Sequence, residues 1–194
     1  MDDPPPQLFF EVFESLPRQG PGNRPSTAKA LAHCGDLPSR PRIADLVWSE
    51  GAIYNVGLGA ALATSLDLLR PGGYFVFTDA VWRTDDVAPE VRAAFSDAPT
   101  MGKVSDALDA IERSGFELVE HFTLPEEAWW DDFYKPMLRR IERLRTRHAG
   151  DDETLAALDE LAAEPEMHRK YGDSYAYEFF VVRKPAVVDL ESTR

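Results

Sequence analysis

Hydrophobic positions along the chain follow two spacings, one of three to four residues and one of continuous short runs. Leu8, Phe9, Val12, Phe13 and Leu16 share one face of a helix predicted over residues 7–16, which Pro17 ends. The stretch from Leu16 to Asn23 is rich in proline and glycine and reads as a loop. A short helix follows, with Pro25 near its first turn and Gly35 as its stop, and residues 36–42 form a second proline-rich loop. Ala44–Trp48 reads as a short buried strand that opens into Ser49, Glu50 and Gly51. Residues 59–69 predict an apolar helix, Arg70–Gly73 a turn, and Tyr74–Thr78 a strand. That succession is a βαβ unit and implies a parallel pair.

Further helices are expected at 86–97 and at 103–114, the second closed by Gly115, with a strand at Phe116–Phe122. From Pro125 the helical spacing takes over. Trp129, Trp130, Phe133, Met137, Leu138, Ile141 and Leu144 form a stripe over 126–147. A second helix is expected at 152–163, capped by Asp151 or Asp152, with Pro165 breaking it or starting a new turn. Ser174–Arg183 is a last, aromatic-rich strand. The pattern predicts an α/β fold: a truncated Rossmann-like sheet of about four strands with an α-helical cap at about 125–170. One reduced domain is expected over 1–185, with a disordered tip at 1–6 and a flexible tail at 186–194.

The formal charge of -13 argues against partners that present phosphate backbones or anionic lipid, so neither nucleic acid nor membrane is expected. The single cysteine, Cys34, allows no internal disulfide. His33, His121, His148 and His168 show no metal-ligand spacing, and no metal is expected. The acidic, proline-rich start does not read as a secretory signal, and no apolar run is long enough to span a bilayer, so the expected location is the cytoplasm.

Three segments carry a resemblance. They are FEVFESLPRQGPGNR; ADLVWSEGAIYNVG followed by LLRPGGYFVFTDAVW; and the stretch from GFELVEHFTLPEEAWWDDFYKPM to YGDSYAYEFFVVRKP. Together they resemble the small class I S-adenosylmethionine-dependent methyltransferases that act on small organic molecules. The resemblance implies that Arg18, Gln19, Gly20, Pro21 and Gly22 lie beside the amino-acid end of the cofactor. It also implies that the strand ending in Ser49, Glu50 and Gly51 delivers residues to the methyl-transfer site. On this basis Glu50, Tyr54 and His121 are the catalytic candidates. Arg18, Gln19, Gly20, Gly22, Ser49 and Gly51 are the cofactor candidates, and Asn55, Trp129, Trp130, Tyr134 and Tyr175 the substrate candidates. Each also has a plain structural role open to it. Glu50 can cap the next turn, Asn55 suits an ordinary turn, and Arg18 can be a solvated loop residue. The three cap aromatics can be core, and a lone strand histidine is more often structural. The implied strand order makes the first three sheet strands parallel and the last antiparallel.

One departure stands out. Arg42-Ile43 runs directly into Ala44-Asp45-Leu46, so the glycine-rich strand-to-helix loop and the acidic residue for the ribose hydroxyls are missing, about 60 residues in all. Gly20-Pro21-Gly22 follows no strand, and Gly57-Leu58-Gly59 is separated from the strand end, so neither fills the vacancy. S-adenosylmethionine is therefore expected to bind poorly, or at a site rebuilt by another chain. The 44–48 strand is expected to have an unpaired edge, met by a second copy in a homodimer or by the 36–43 loop. The alternative is a non-catalytic protein of this fold that binds a small molecule or a partner chain.

Overall fold

The computed structural model describes residues 6–96 and 101–186. Nearly all of the expected tip and tail, and the last residue of the helix expected at 86–97, lie outside the described residues. The order along the chain is α1 (Pro6–Phe13), α2 (Arg24–Ala32), β1 (Leu46–Ser49), α3 (Leu58–Leu68), β2 (Tyr74–Trp82), α4 (Pro89–Ala94), α5 (Val104–Ser114), β3 (Glu117–Thr123), α6 (Glu126–Trp129), α7 (Lys135–Arg147), α8 (Asp152–Tyr171) and β4 (Tyr175–Arg183). Two compact units form: one from Met1–Arg24 with Pro125–Asp173, the other from Pro25–Leu124 with Ser174 onward.

The second unit holds a four-stranded sheet in the order β1-β2-β4-β3. β1 pairs parallel with β2, while β4 runs antiparallel to both β2 and β3. The first three strands thus share one direction and the last opposes them, as expected. β2 continues past Thr78 to Trp82 because β4 pairs with it along its whole length, from Tyr74↔Arg183 to Trp82↔Tyr175. Residues alternate between faces. One face sets Phe75, Phe77, Phe180 and Val182 against Ala61 and Leu62 of α3 and Ala107 and Ile111 of α5. Phe77 stacks on Phe180 at 5.1 Å between ring centroids. The other face stacks Phe122 on Phe179 at 5.1 Å, with the Lys29 ammonium of α2 3.7 Å above the Phe122 ring.

Two details fix where β1 and β2 begin. Arg70 donates from Nε to Asp45 Oδ1 at 2.5 Å, and Arg70 N–H donates to the Ala44 carbonyl at 2.8 Å. Gly73 sits where a Cβ would come within 2.9 Å of that same Ala44 carbonyl oxygen, so the turn admits no side chain there. On its outer side β1 has no partner among the described residues.

The helical unit packs α1 against α7, with Val12, Phe133, Met137, Ile141, Leu144 and Leu158 all at 3% exposure or less. Arg140 donates to the Glu11 carbonyl at 2.6 Å and ties α1 to α7. α6 and α7 join through a π turn over Trp130–Tyr134, a local widening of one otherwise continuous helix. Asp151 caps α8 by accepting from Thr154 N–H at 3.2 Å. The expected break at Pro165 does not occur, and α8 runs through it to Tyr171. A proline inside a helix removes one backbone hydrogen bond and costs ~3 kcal/mol. Here the buried face runs through the proline, from Leu158 to Pro165 and on to His168, and that burial offsets the loss.

Candidate functional site

In open α/β sheets, ligands lie outside the carboxyl ends of the parallel strands. At that end of β1, Ser49 is the last paired residue, opposite Phe77. Glu50 then accepts from the Trp48 indole at 2.7 Å and from Thr27 Oγ1 at 3.1 Å, so its carboxylate is held by neighbours on two elements. Gly51 turns the chain at φ +64, and its N–H donates to Thr78 Oγ1 at 2.8 Å. Thr78 is buried in β2, which extends beyond β1 here. The 3-10 turn Ile53–Asn55 follows, with Ile53 buried while Tyr54 and Asn55 face outward.

A second polar group sits at the same end of the sheet, on β3 and β4. Glu178 Oε1 is 2.6 Å from His121 Nδ1, and Glu178 Oε2 accepts from Thr123 Oγ1 at 2.7 Å. The carboxylate side chain is 3% exposed, whereas the imidazole is 36% exposed. Asp79 of β2 is the cross-strand partner of Glu178. Burial pushes the Asp79 carboxyl up to about 6, against the opposing pull of the Ala80 N–H that donates to it at 3.0 Å.

Thr78, Asp79 and Glu178 were not among the residues the sequence reading singled out. The signal for Glu178 was present: one carboxylate inside the apolar run YAYEFFVV has to find buried partners. Thr78 and Asp79 interrupt YFVFTDAVW in the same way, but their role depends on β2 outrunning β1, which no local pattern shows.

The three catalytic candidates do not converge. Ser49, Phe77, Phe180 and His121 form one row across the four strands. Three strand spacings therefore separate His121 from the Ser49–Gly51 turn, about 14 Å. Glu50 and Tyr54 belong to the β1 edge and His121 to the β3 edge. Tyr175 is 1% exposed and packs edge-on to Phe95 at 4.7 Å.

The remaining candidates belong to the helical unit. Gly22 has φ +152, a conformation that favours glycine, and its N–H donates to the Ala128 carbonyl at 2.9 Å. The Arg18 guanidinium packs over it. Gln19 is exposed, and Gly20 has open space where a side chain would be. Trp129 and Tyr134 are buried, while Trp130 is half-buried. Trp129 stacks on His168 at 4.3 Å, and Tyr134 donates its hydroxyl to Glu164 at 2.9 Å. Burial holds the His168 imidazole below its ordinary range, against the pull of Glu126.

No three metal-ligating side chains cluster among the described residues. No described helix is long and apolar enough to cross a membrane. For S-adenosylmethionine, the sheet unit offers the Ser49–Gly51 turn but, among the described residues, no glycine-rich loop directly after a strand. Gly57-Leu58-Gly59 opens α3, yet the Ile53–Asn55 turn separates it from β1, and the Gly57 N–H is bonded to the Ile53 carbonyl at 2.8 Å. These residues alone do not make a complete cradle for the cofactor.

No family model matches the chain. A dimethylglycine N-methyltransferase of Parasynechococcus marenigrum (strain WH8102) is 31% identical over 116 residues, covering 56% of this chain and 37% of that protein. The match thus spans little more than a third of the curated relative's length. A S-adenosylmethionine-dependent methyltransferase from Geobacter sulfurreducens, in complex with S-adenosyl-L-homocysteine, superposes with a TM-score of 0.71 at 12% identity. It covers 92% of this chain and 98% of that one. A second such enzyme, from Thiobacillus denitrificans in the same kind of complex, has a TM-score of 0.60 at 18% identity over 77% of this chain and 60% of that one. The fold is that of the S-adenosylmethionine-dependent methyltransferases. The four-stranded sheet is a truncated form of it.

Proposed function

We propose that the protein is a methyltransferase-like protein acting on a small organic molecule, with S-adenosylmethionine as the methyl donor. The observation that carries this reading is the Ser49–Glu50–Gly51 turn, pinned by Thr78 at the carboxyl end of β1 in a sheet of methyltransferase fold. Two comparisons support it. The Geobacter sulfurreducens chain, 98% of which this chain matches, was crystallised with S-adenosyl-L-homocysteine, and the curated relative is named for a small amine, dimethylglycine. The cofactor site is completed by a second copy laid along the outer edge of β1, because the described residues leave that side open. A charge of -13 keeps nucleic acid and anionic membranes from the partner list, and the protein works in the cytoplasm as a homodimer.

Calorimetric titration with S-adenosylmethionine and S-adenosylhomocysteine, beside sedimentation at the same concentrations, tests this. Saturable binding that rises with the dimer fraction is the expected result. Dimer formation without any binding heat or thermal stabilisation would overturn the donor assignment. The second reading, a non-catalytic protein of this fold that binds a small molecule, would then stand; the missing glycine loop favours it. Binding by a monomer would overturn the role of the second copy alone.

A further inference from the structure

Glu178 lies in the middle of an apolar strand, and both of its oxygens are engaged, one by the His121 ring and one by Thr123. An ionised carboxylate only accepts, so the hydrogen of the His121 contact belongs to Nδ1. A neutral imidazole has one N–H, and with that hydrogen on Nδ1 the lone pair is on Nε2. Neutral histidine in water prefers the opposite tautomer, so a carboxylate at Nδ1 selects the less common one. The ring is further held by stacking on Phe180, at 6.1 Å between centroids. A carboxylate this deeply buried carries a desolvation penalty that its partners have to offset. The β3–β4 backbone ladder already joins these strands, so tying them together does not account for that penalty. What the arrangement does produce is a half-exposed imidazole with a fixed tautomer, at the end of the sheet where ligands bind.

We infer that His121 is a proton acceptor for a bound ligand, with Glu178 as the positioning residue that fixes its tautomer, and that this ligand presents an O–H or N–H group to Nε2. The proton leaves the ligand's oxygen or nitrogen and ends on Nε2, while the electron pair stays on the ligand atom and makes it a nucleophile. The imidazolium so formed is stabilised by the Glu178 carboxylate 2.6 Å away. A ligand that also touched the Ser49–Gly51 turn would span about 14 Å. This deepens the methyl-transfer reading and rests on it for the fate of the nucleophile: the acceptor is protic.

The first test is nitrogen-15 histidine NMR on the whole chain near pH 8, with His121→Gln to assign the signal. His121 should be the Nδ1–H tautomer in the native protein and in Glu178→Gln, whose amide oxygen still accepts. The Glu178→Leu variant should switch it to Nε2–H. A native Nε2–H tautomer overturns the proposal, as does an Nδ1–H tautomer that survives in Glu178→Leu. The second test offers methyl-labelled S-adenosylmethionine one set of alcohols, phenols and amines bearing hydrogen, and a second set of thioethers, which have no proton to lose. Label should enter the first set, and His121→Gln should lower kcat by about a hundredfold with KM little changed. Transfer to thioethers that His121→Gln does not slow overturns the proton acceptor and leaves methyl transfer standing. If neither set is labelled, the methyl-transfer reading fails, and the NMR result still decides the His121–Glu178 assignment.

Discussion

Replacing Asp79 with asparagine should stabilise the protein. The Asp79 carboxyl titrates at about 6 in the folded chain because burial disfavours its charged form, against 3.8 for an ordinary aspartate. Its folded value is raised, so the sign is fixed. Below pH 3.8 both folded and unfolded chains are protonated there and the group has no effect. Between 3.8 and about 6 the unfolded chain ionises first, and stability falls. Above about 6 the full penalty applies. At 1.36 kcal/mol per pH unit that penalty is about 3 kcal/mol. Asparagine keeps an oxygen to accept the Ala80 N–H and fills nearly the same space, so the variant removes the charge and little else. Urea unfolding followed by tryptophan fluorescence should show Asp79→Asn more stable by up to about 3 kcal/mol at pH 8 and by about half as much at pH 5. A variant no more stable than the native chain at pH 8, or a gain that does not shrink on acidification, would refute the argument.

Three further outcomes follow from particular contacts. Gly73→Ala should cost about 1–3 kcal/mol in urea unfolding, because its Cβ would press on the Ala44 carbonyl oxygen; an unchanged midpoint would mean the turn yields freely. Asp151→Ala removes the cap of α8 and should cost about 1 kcal/mol by the same assay, with Asp151→Ser restoring most of it; no loss would show that the cap is idle. His168 is held below its ordinary value of 6.5 by burial, so stability should be complete above that pH and decline as pH falls below it, where the unfolded chain takes up the proton first. His168→Phe should flatten that decline between pH 7.5 and 5.5, and an identical pH dependence would assign the acid sensitivity elsewhere.

The elements were legible because their signals are local. Period-four stripes marked α7, the Arg70–Gly73 turn separated α3 from β2, and Asp151 opened one helix and Gly115 closed another with ordinary chemistry. Pro165 misled because a single residue's cost was weighed without the buried face beyond it, on which His168 packs. The candidate site was legible on the β1 side, where Ser49, Glu50 and Gly51 share one short phrase. On the β3–β4 side His121 was legible as a candidate but its pairing with Glu178 was not, since the two are 57 positions apart and meet only through antiparallel register. Local pattern finds a turn at a strand end, but it cannot find a pair of residues whose chemistry exists only across a sheet.

That distinction also separates what truncation leaves intact from what it removes. The β1 edge is where this sheet stops, and the residues there, Glu50 bonded to Trp48 and Thr27 and Gly51 bonded to Thr78, are satisfied by neighbours already in the chain. Nothing at that edge is left strained or buried without a partner among these groups, so a missing neighbour costs it little beyond an open backbone. The β2–β4–β3 end is different. It keeps one carboxyl raised by burial and another engaged on both oxygens, and neither is needed for the backbone ladders that surround them. A chain that had lost all selection for a ligand would gain stability by exchanging Asp79 for a neutral residue, one substitution away. The raised Asp79 carboxyl and the Glu178–His121 pair therefore mark this end of the sheet as a candidate for ligand contact alongside the Ser49–Gly51 turn.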